Sequence, residues 1–396
     1  MPAFTRAVHE FRLGMMRSLM DRERLDALVF TRGDYVLFAT NLPSDVEVWE
    51  RPVAFVLPRE GRPFLMIHEL SQNMFRFSRE AGRLWVDEAT IYAEHPVTAG
   101  RLPLIHETPA ILRDALAERG LAMSRIGVDA MARVVQDAAA LLPGATFQPM
   151  EAELRSLRWV KHEEELQAMR EACALTDWLQ DRYRENIRPG RLVQELDMHM
   201  ASLFYEEAAR RFPGDDIILP ECFSLAGPAS ASPHGDGAQC GARIQKGDVL
   251  VNIIIPRING LYVENERTWF AGAPSADHRR YYALAREANE AASEAAVTGN
   301  PVSAIDAAAL RVFERAGCEH LVCHRTGHGI GILGHEYPED MPFNSRALLT
   351  NEVYSSEPGI YVYGLGGFRI DDMVIVGPEP EIITKSSRAI EDQIVG

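Results

Sequence analysis

Histidines and carboxylates gather at turns in the second half of the chain, in five short stretches. They are SPHGDG (Ser232 to Gly237), LYVENERTWF (Leu261 to Phe270), TGHGIGILGHE (Thr326 to Glu336), SSEPGIYV (Ser355 to Val362) and GGFRIDDMVIV (Gly366 to Val376). Imidazole titrates near neutrality and can carry a proton to and from a reacting atom, while carboxylates bind cationic groups or hard metal ions. Polar side chains placed on strands cost free energy unless they are paired, so a convergent set reads as a site. His328 stands between Gly327 and Gly329, which let the backbone pass close to something bulky, and we read it as a site residue. His324 reads as a structural or surface histidine. GHGIG lacks the strand-then-helix setting and the later ribose-binding acid of a dinucleotide loop. The run Glu163-Glu164-Glu165 reads as a solvated helix face.

The elements that must hold these residues follow from periodicity. Apolar positions at helical spacing predict a helix over 6–24, then LDALVFT (25–31) predicts a buried strand. PVAFVLP (52–58), a turn at Arg59-Glu60-Gly61 and a partner at 63–67 predict a hairpin. A helix over 108–119 and a strand at 125–129 complete a mixed α/β domain over residues 1–155. From Glu151 the pattern becomes one long charged amphipathic helix, followed by a Pro/Gly/Ser-rich loop region over 213–238. Strands at 248–255 and 261–270, a helix over 277–298 and an alternating tail over 353–376 make up a second domain, 156–396.

Composition narrows the function classes. The chain has 396 residues and a net charge of −16, which disfavours attraction to nucleic acid or to an anionic membrane surface. A hydrophobic share of 46% with 25% charged residues suits a folded protein with a large core. Five cysteines, an odd number with no CxxC, point to a reducing, cytoplasmic setting rather than a disulfide framework. No segment has 18 uninterrupted apolar residues, and the N-terminal stretch lacks the pattern of a leader peptide.

Taken in order, Lys161 with its helix, SPHGDG, KGDVLVN, ERTWF, GHGIGILGHE, SEPGIYV and GGFRIDD resemble the pita-bread family of creatinase, aminopeptidase P, prolidase and methionine aminopeptidase. The resemblance covers the whole second domain, and the first domain is more loosely similar to the two-domain creatinase/prolidase branch. It implies an α/β fold with a smaller N-terminal domain and a C-terminal pita-bread domain built on a curved antiparallel sheet. Family metallopeptidases hold two divalent ions with two Asp, one His and two Glu. On those positions this chain has Glu264 for one Asp, His328, Glu357, and Asp371 for the last Glu. For the other Asp, the candidates Asn252, Ile253 and Ile254 offer no carboxylate.

The missing acid moves the expectation away from a two-metal peptidase and toward creatinase, the family's metal-free precedent. His234 matches the creatinase catalytic histidine, Glu266 and Glu357 its paired glutamates, and Trp49-Glu50-Arg51-Pro52 resembles its Phe-Gly-Arg-Pro. The resemblance therefore implies His234, Glu266, His328 and Glu357 as catalytic, with His234 the acid/base and the two glutamates binding a cationic group. Arg51, Trp49, His335 and Asp371 are the implied substrate binders. The positions of creatinase's second arginine and late histidine fall on Glu339 and Asp371, which makes the pocket more acidic. The expected activity is hydrolysis of a nonpeptide C–N bond in a small zwitterionic guanidino or amidine compound, as in creatinase or ectoine hydrolase. No cofactor is expected; were one divalent ion present, Glu264, His328, Glu357 and Asp371 would hold it. The expected partners are a small-molecule substrate and a second copy of the chain, with no nucleic acid or membrane. The alternatives are a metal-dependent Xaa-Pro dipeptidase or aminopeptidase, a DMSP-lyase-like enzyme, and a noncatalytic binding module.

Overall fold

The computed structural model describes residues 4–43, 50–93, 107–235, 241–338 and 341–396. The chain divides into two compact units, one ending at Arg158 and the other beginning at Trp159.

The first unit is a mixed six-stranded sheet flanked by helices. Its strands are β1 (Ala27–Phe30), β2 (Ala54–Pro58), β3 (Phe64–His68), β4 (Glu88–Tyr92), β5 (Arg125–Val128) and β6 (Thr146–Pro149), in the order β4-β3-β2-β1-β5-β6. The pairs β1–β2 and β2–β3 are antiparallel, as a hairpin requires, and β1–β5 and β5–β6 are parallel. Helices α1 (Arg6–Glu23), α2 (Gly33–Thr40), α3 (Gln72–Glu80), α4 (Thr108–Glu118), α5 (Arg133–Leu141) and α6 (Glu151–Arg155) belong to this unit. Ala27, Val29, Ala54, Val56, Phe64 and Met66 pack against Leu112, Leu116, Val135 and Ala138 to form its core.

The long helix expected from Glu151 is broken. It ends in a short 3-10 turn at Ser156–Arg158, and α7 (Glu163–Asn186) starts afresh. A capping box sets the restart: His162 accepts from the Glu164 N–H, and Glu165 Oε2 accepts from the His162 N–H at 2.8 Å. Glu165 is therefore buried at the cap and not on the solvated face expected for it. Just before the cap, Lys161 forms a buried ion pair with Glu336 at 3.2 Å.

The second unit continues with α8 (Val193–Arg211), β7 (Ile217–Ala226), β8 (Val249–Ile258), β9 (Leu261–Tyr262) and β10 (Asn265–Ala271). Next come α9 (Ala276–Ala295), α10 (Ser303–Arg315), β11 (Gly327–Gly329), β12 (Val353–Ser356), β13 (Gly359–Val362), β14 (Gly366–Arg369) and β15 (Asp372–Ile375). The chain closes with β16 (Glu381–Ile382), α11 (Ile390–Gln393) and β17 (Ile394–Val395). Strand β7 lies inside the stretch expected to be loop; its Pro220 and Glu221 sit at a register shift between Ile218 and Glu221, which hid the alternation. The strands form three sheets among the described residues: β17-β10-β8-β7 with β9 beside β8, β11-β12-β15-β16, and the pair β13-β14. Pairing is antiparallel throughout except for the short β10–β17 contact. Helices α9 and α10 contribute Ala288, Ala292, Ile305, Val312 and Phe313 to a core that includes Tyr354, Val374 and Val376.

Strand register sorts the polar residues of the first of these sheets onto two faces. Phe223 pairs with Ile253 and Ile253 with Glu266, while Glu221 pairs with Ile255, so these side chains share one face. The other face carries Ser224, Asn252, Asn265 and Arg267, of which the first three meet α7 or α8. Gln180 Oε1 accepts from Asn252 Nδ2 at 2.9 Å, and Asp197 Oδ1 accepts from Ser224 Oγ at 2.7 Å. Asn252 therefore points away from the face that carries Glu266.

Candidate active site

The face defined by Phe223, Ile253, Ile255, Glu264 and Glu266 lines a cavity of about 800 Å³. His234, His324, Arg325, His335, Glu357 and Arg369 complete much of its wall. A space of this size takes a small ligand rather than a polymer.

His328, on β11, is fully buried behind the lining residues Glu264, His335 and Glu357. Its Nδ1 is 2.9 Å from the Gly329 carbonyl oxygen, which can only accept, so Nδ1 carries the proton and Nε2 presents a lone pair. Burial, then the neighbouring His335 and Arg325, push its pKa down to about 3, so the ring is neutral. That lone pair faces Glu264 Oε2 at 3.6 Å and Glu357 Oε1 at 3.5 Å. The flanking glycines are explained by backbone approach: a Cβ on Gly327 would overlap the Ser355 carbonyl, and one on Gly329 the Tyr337 carbonyl.

Asp371 joins this group, held by a 3.0 Å bond from Ser355 Oγ. It also bridges backbone-to-backbone with Glu266. No backbone N–H, hydroxyl, amide or cationic group among the described residues donates to Glu264 Oε1, Asp371 Oδ2 or His328 Nε2, and the Glu264 and Asp371 carboxyl groups lie within hydrogen-bonding reach of each other. Burial first, then the charges of Asp371, Glu357 and Glu266, raise the Glu264 pKa well above the carboxylate range. Burial and the charge of Glu357 push Asp371 up to about 7, and burial pushes Glu357 up to about 8. Three crowded carboxylates near an imidazole lone pair repel one another unless protons or a cation lie between them, and these oxygen and nitrogen donors are of the kind that suits a divalent ion.

The rest of the wall is a separate network. Arg369 Nη2 donates to Glu266 Oε1 at 3.0 Å, and its Nε faces Glu266 Oε2. Arg369 Nη1 donates to Tyr361 Oη at 3.2 Å and to the Pro233 carbonyl at 3.3 Å. His324 Nδ1 lies 2.7 Å from the Arg325 carbonyl and must donate to it, so its Nε2 accepts from Tyr361 Oη at 2.7 Å. His335 is exposed and stacks on His328 with ring centroids 3.9 Å apart. Its Nδ1 accepts from Arg325 at 3.1 Å, which leaves the proton on Nε2.

The structure thus brings together Glu264, His328, Glu357, Asp371 and His335, with His234 on the cavity wall. Glu266 lines the same cavity, but both its oxygens face Arg369, so it is not the open carboxylate that a substrate cation would require. Arg51 belongs to the first unit, where its Nη1 meets Glu50 Oε2 at 2.5 Å. Trp49 and Glu339 lie outside the described residues. Sequence reasoning missed Arg369, Tyr361, Arg325 and the wall position of His324. Arg369 had a signal: it is two residues before Asp371, so strand alternation puts both on one side.

Comparison with known proteins decides the class. Residues 167–378 match the model of metallopeptidase family M24, and residues 12–160 match the creatinase/prolidase N-terminal domain. The chain belongs to metallopeptidase family M24. The probable dipeptidase PepE of Mycobacterium tuberculosis is 30% identical over 379 residues, 94% of this chain and 93% of that protein. The Xaa-Pro dipeptidase of Pyrococcus furiosus is 29% identical over 245 residues, 62% of this chain and 68% of that protein. The crystal structure of dipeptidase PepE from Mycobacterium ulcerans superposes with a TM-score of 0.81 at 27% identity, covering 99% of each chain. The M24 chain is therefore a hydrolase with the two-domain α/β pita-bread fold. The expected hydrolysis of a nonpeptide C–N bond in a guanidino or amidine compound is overturned, because the relatives are named as dipeptidases. The metal independence expected with it loses its support. That expectation rested on the missing acid at Asn252 to Ile254 and on matching Glu266 to a creatinase glutamate, which in the fold is held by Arg369.

Among the described residues no helix is long and apolar enough to cross a membrane.

Proposed function

We propose that the chain is a metal-dependent dipeptidase. The observation that carries this reading is the neutral His328, whose Nε2 lone pair is turned toward Glu264 and Glu357. The names of its relatives favour a short peptide as substrate. A divalent ion held by Glu264, His328, Glu357 and Asp371 would polarise the scissile carbonyl and acidify water.

The side chains supply the remaining functions. The Gly329 carbonyl fixes the His328 tautomer, and Ser355 fixes Asp371, so neither must reorganise when a cation binds. Glu357 is the least buried of the three carboxylates, at 14% side-chain exposure, and reaches the open cavity. It is the group placed to take a proton from water and return it to the leaving amine. His335 Nε2–H is a donor for the oxygen that gains charge as the carbonyl becomes tetrahedral. Arg325 secures that tautomer from the other side of the ring. Phe223, Ile253 and Ile255 give the cavity an apolar wall, which suits a peptide with an apolar side chain better than a compact dication.

The test is turnover on a panel of dipeptides, Xaa-Pro included, with and without a chelator. Cleavage that disappears on chelation and returns with added Mn²⁺, Co²⁺ or Zn²⁺ is the expected result. Full dipeptide turnover by metal-stripped protein, or cleavage of creatine with no dipeptide cleaved, would overturn the proposal.

A further inference from the structure

We infer that this site holds one divalent ion, and that the Arg369 guanidinium occupies the electrostatic role of a second. The inference rests on the dipeptidase reading and specifies its metal centre. A pair of ions needs carboxylate donors on both sides. Here Glu264 and Glu357 face His328 with Asp371 beside Glu264, and the other cavity carboxylates are Glu266, held by Arg369, and the exposed Glu221. Glu264, Glu357, Asp371 and His328 offer enough donors for a single ion.

Across the cavity floor the strand β8 offers only hydrocarbon. Ile253 and Ile255 line the cavity, and the one polar side chain nearby on that strand, Asn252, faces the opposite way. Its amide is fully used: Oδ1 accepts from Arg267 N and Trp269 Nε1 at 3.1 Å each, and Nδ2 donates to Gln180. It cannot swing round without leaving those buried groups unpaired.

Glu266, directly opposite Ile253 on β10, is the carboxylate that could stand in for the absent acid across the strand pair. Arg369 prevents this. Its guanidinium engages both Glu266 oxygens, and its remaining N–H groups reach Tyr361 Oη and the Pro233 carbonyl. The pair is buried, with 3% and 5% side-chain exposure, and a bidentate guanidinium is permanently charged. A second dication would have to displace that cation or sit beside it with the exposed Glu221 as the one added carboxylate among the lining residues.

The experiment is metal counting on the full-length protein, by elemental analysis as isolated and by calorimetric titration of chelator-stripped protein with Mn²⁺. Electron paramagnetic resonance of the loaded protein reads the same question independently of activity. One ion per chain with the signal of an isolated Mn²⁺, and at least tenfold weaker binding in Glu264→Gln, are expected. Two ions per chain, or the spectrum of an exchange-coupled pair, would overturn the single-ion inference and leave the dipeptidase reading standing. No bound metal at all, with dipeptide turnover intact, would instead overturn the metal-dependent reading together with the inference.

Discussion

Replacing Arg267 by Met should cost the second unit a large part of its stability. Arg267 is fully buried between β10 and β15, and its guanidinium serves four acceptors. Nη1 donates to the Glu266 and Asp371 carbonyls at 2.8 and 2.7 Å, and Nη2 to Asp372 Oδ1 at 2.8 Å and the Ser386 carbonyl at 3.0 Å. Methionine fills similar space but leaves Asp372 as a buried carboxylate without its main partner. Breaking a buried pair from one side costs about 3–5 kcal/mol. Arg388, at 3.4 Å from Asp372 Oδ2, and the Thr384 hydroxyl, at 2.6 Å from Oδ1, remain, so the lower end of about 3 kcal/mol applies here. In a unit of this size, 1 kcal/mol shifts Tm by roughly 2–4 °C, giving an expected fall of about 6–12 °C. The assay is calorimetry at neutral pH of the wild type, Arg267→Met, Asp372→Asn and the double variant. The double variant should recover at least ~1 kcal/mol of the single Arg267 loss, because it removes the stranded charge. A fall under about 2 °C for Arg267→Met, or a double variant no more stable than the single, would refute the reasoning.

Three further outcomes follow from the same geometry. His335→Ala should lower kcat/KM by about 10²–10³-fold on a dipeptide with bound metal unchanged, as for loss of one oxyanion donor; steady-state kinetics beside elemental analysis checks both halves. Gly329→Ala should cost about 1–3 kcal/mol and weaken metal binding, because a Cβ there overlaps the Tyr337 carbonyl and must displace the strand that carries His328; an unchanged Tm would refute it. Asp197, whose pKa burial raises to about 6, lies above its unfolded value near 3.9, so the folded state binds that proton more tightly. Its contribution is full below the unfolded pKa and is lost as pH rises through about 6. The stability of the wild type relative to Asp197→Asn should thus increase between pH 7 and pH 4, by at most about 3 kcal/mol, and a difference flat with pH would count against it.

The motifs in order, the alternation of the strands and the helix periods were enough to suggest a two-domain chain, several of its elements and the family likeness, but not α8, β7 or the break before α7. These signals are local: side-chain period and turn chemistry survive in a bare sequence because they depend on neighbours along the chain. His328, Glu264, Glu357 and Asp371 could be picked out because each stands in a short motif that resembles the family's pattern. Even the lost carboxylate at Ile253 was legible. What the linear order could not decide was partnership. Glu266 looked like an open binder of a substrate cation until Arg369, more than a hundred residues later, was found against it. His328 could be any histidine until the Gly329 carbonyl fixed its tautomer and turned a lone pair toward two carboxylates. Local chemistry names the groups, but a buried charge takes its meaning from whichever group lies within a few ångströms, and only the folded chain determines that.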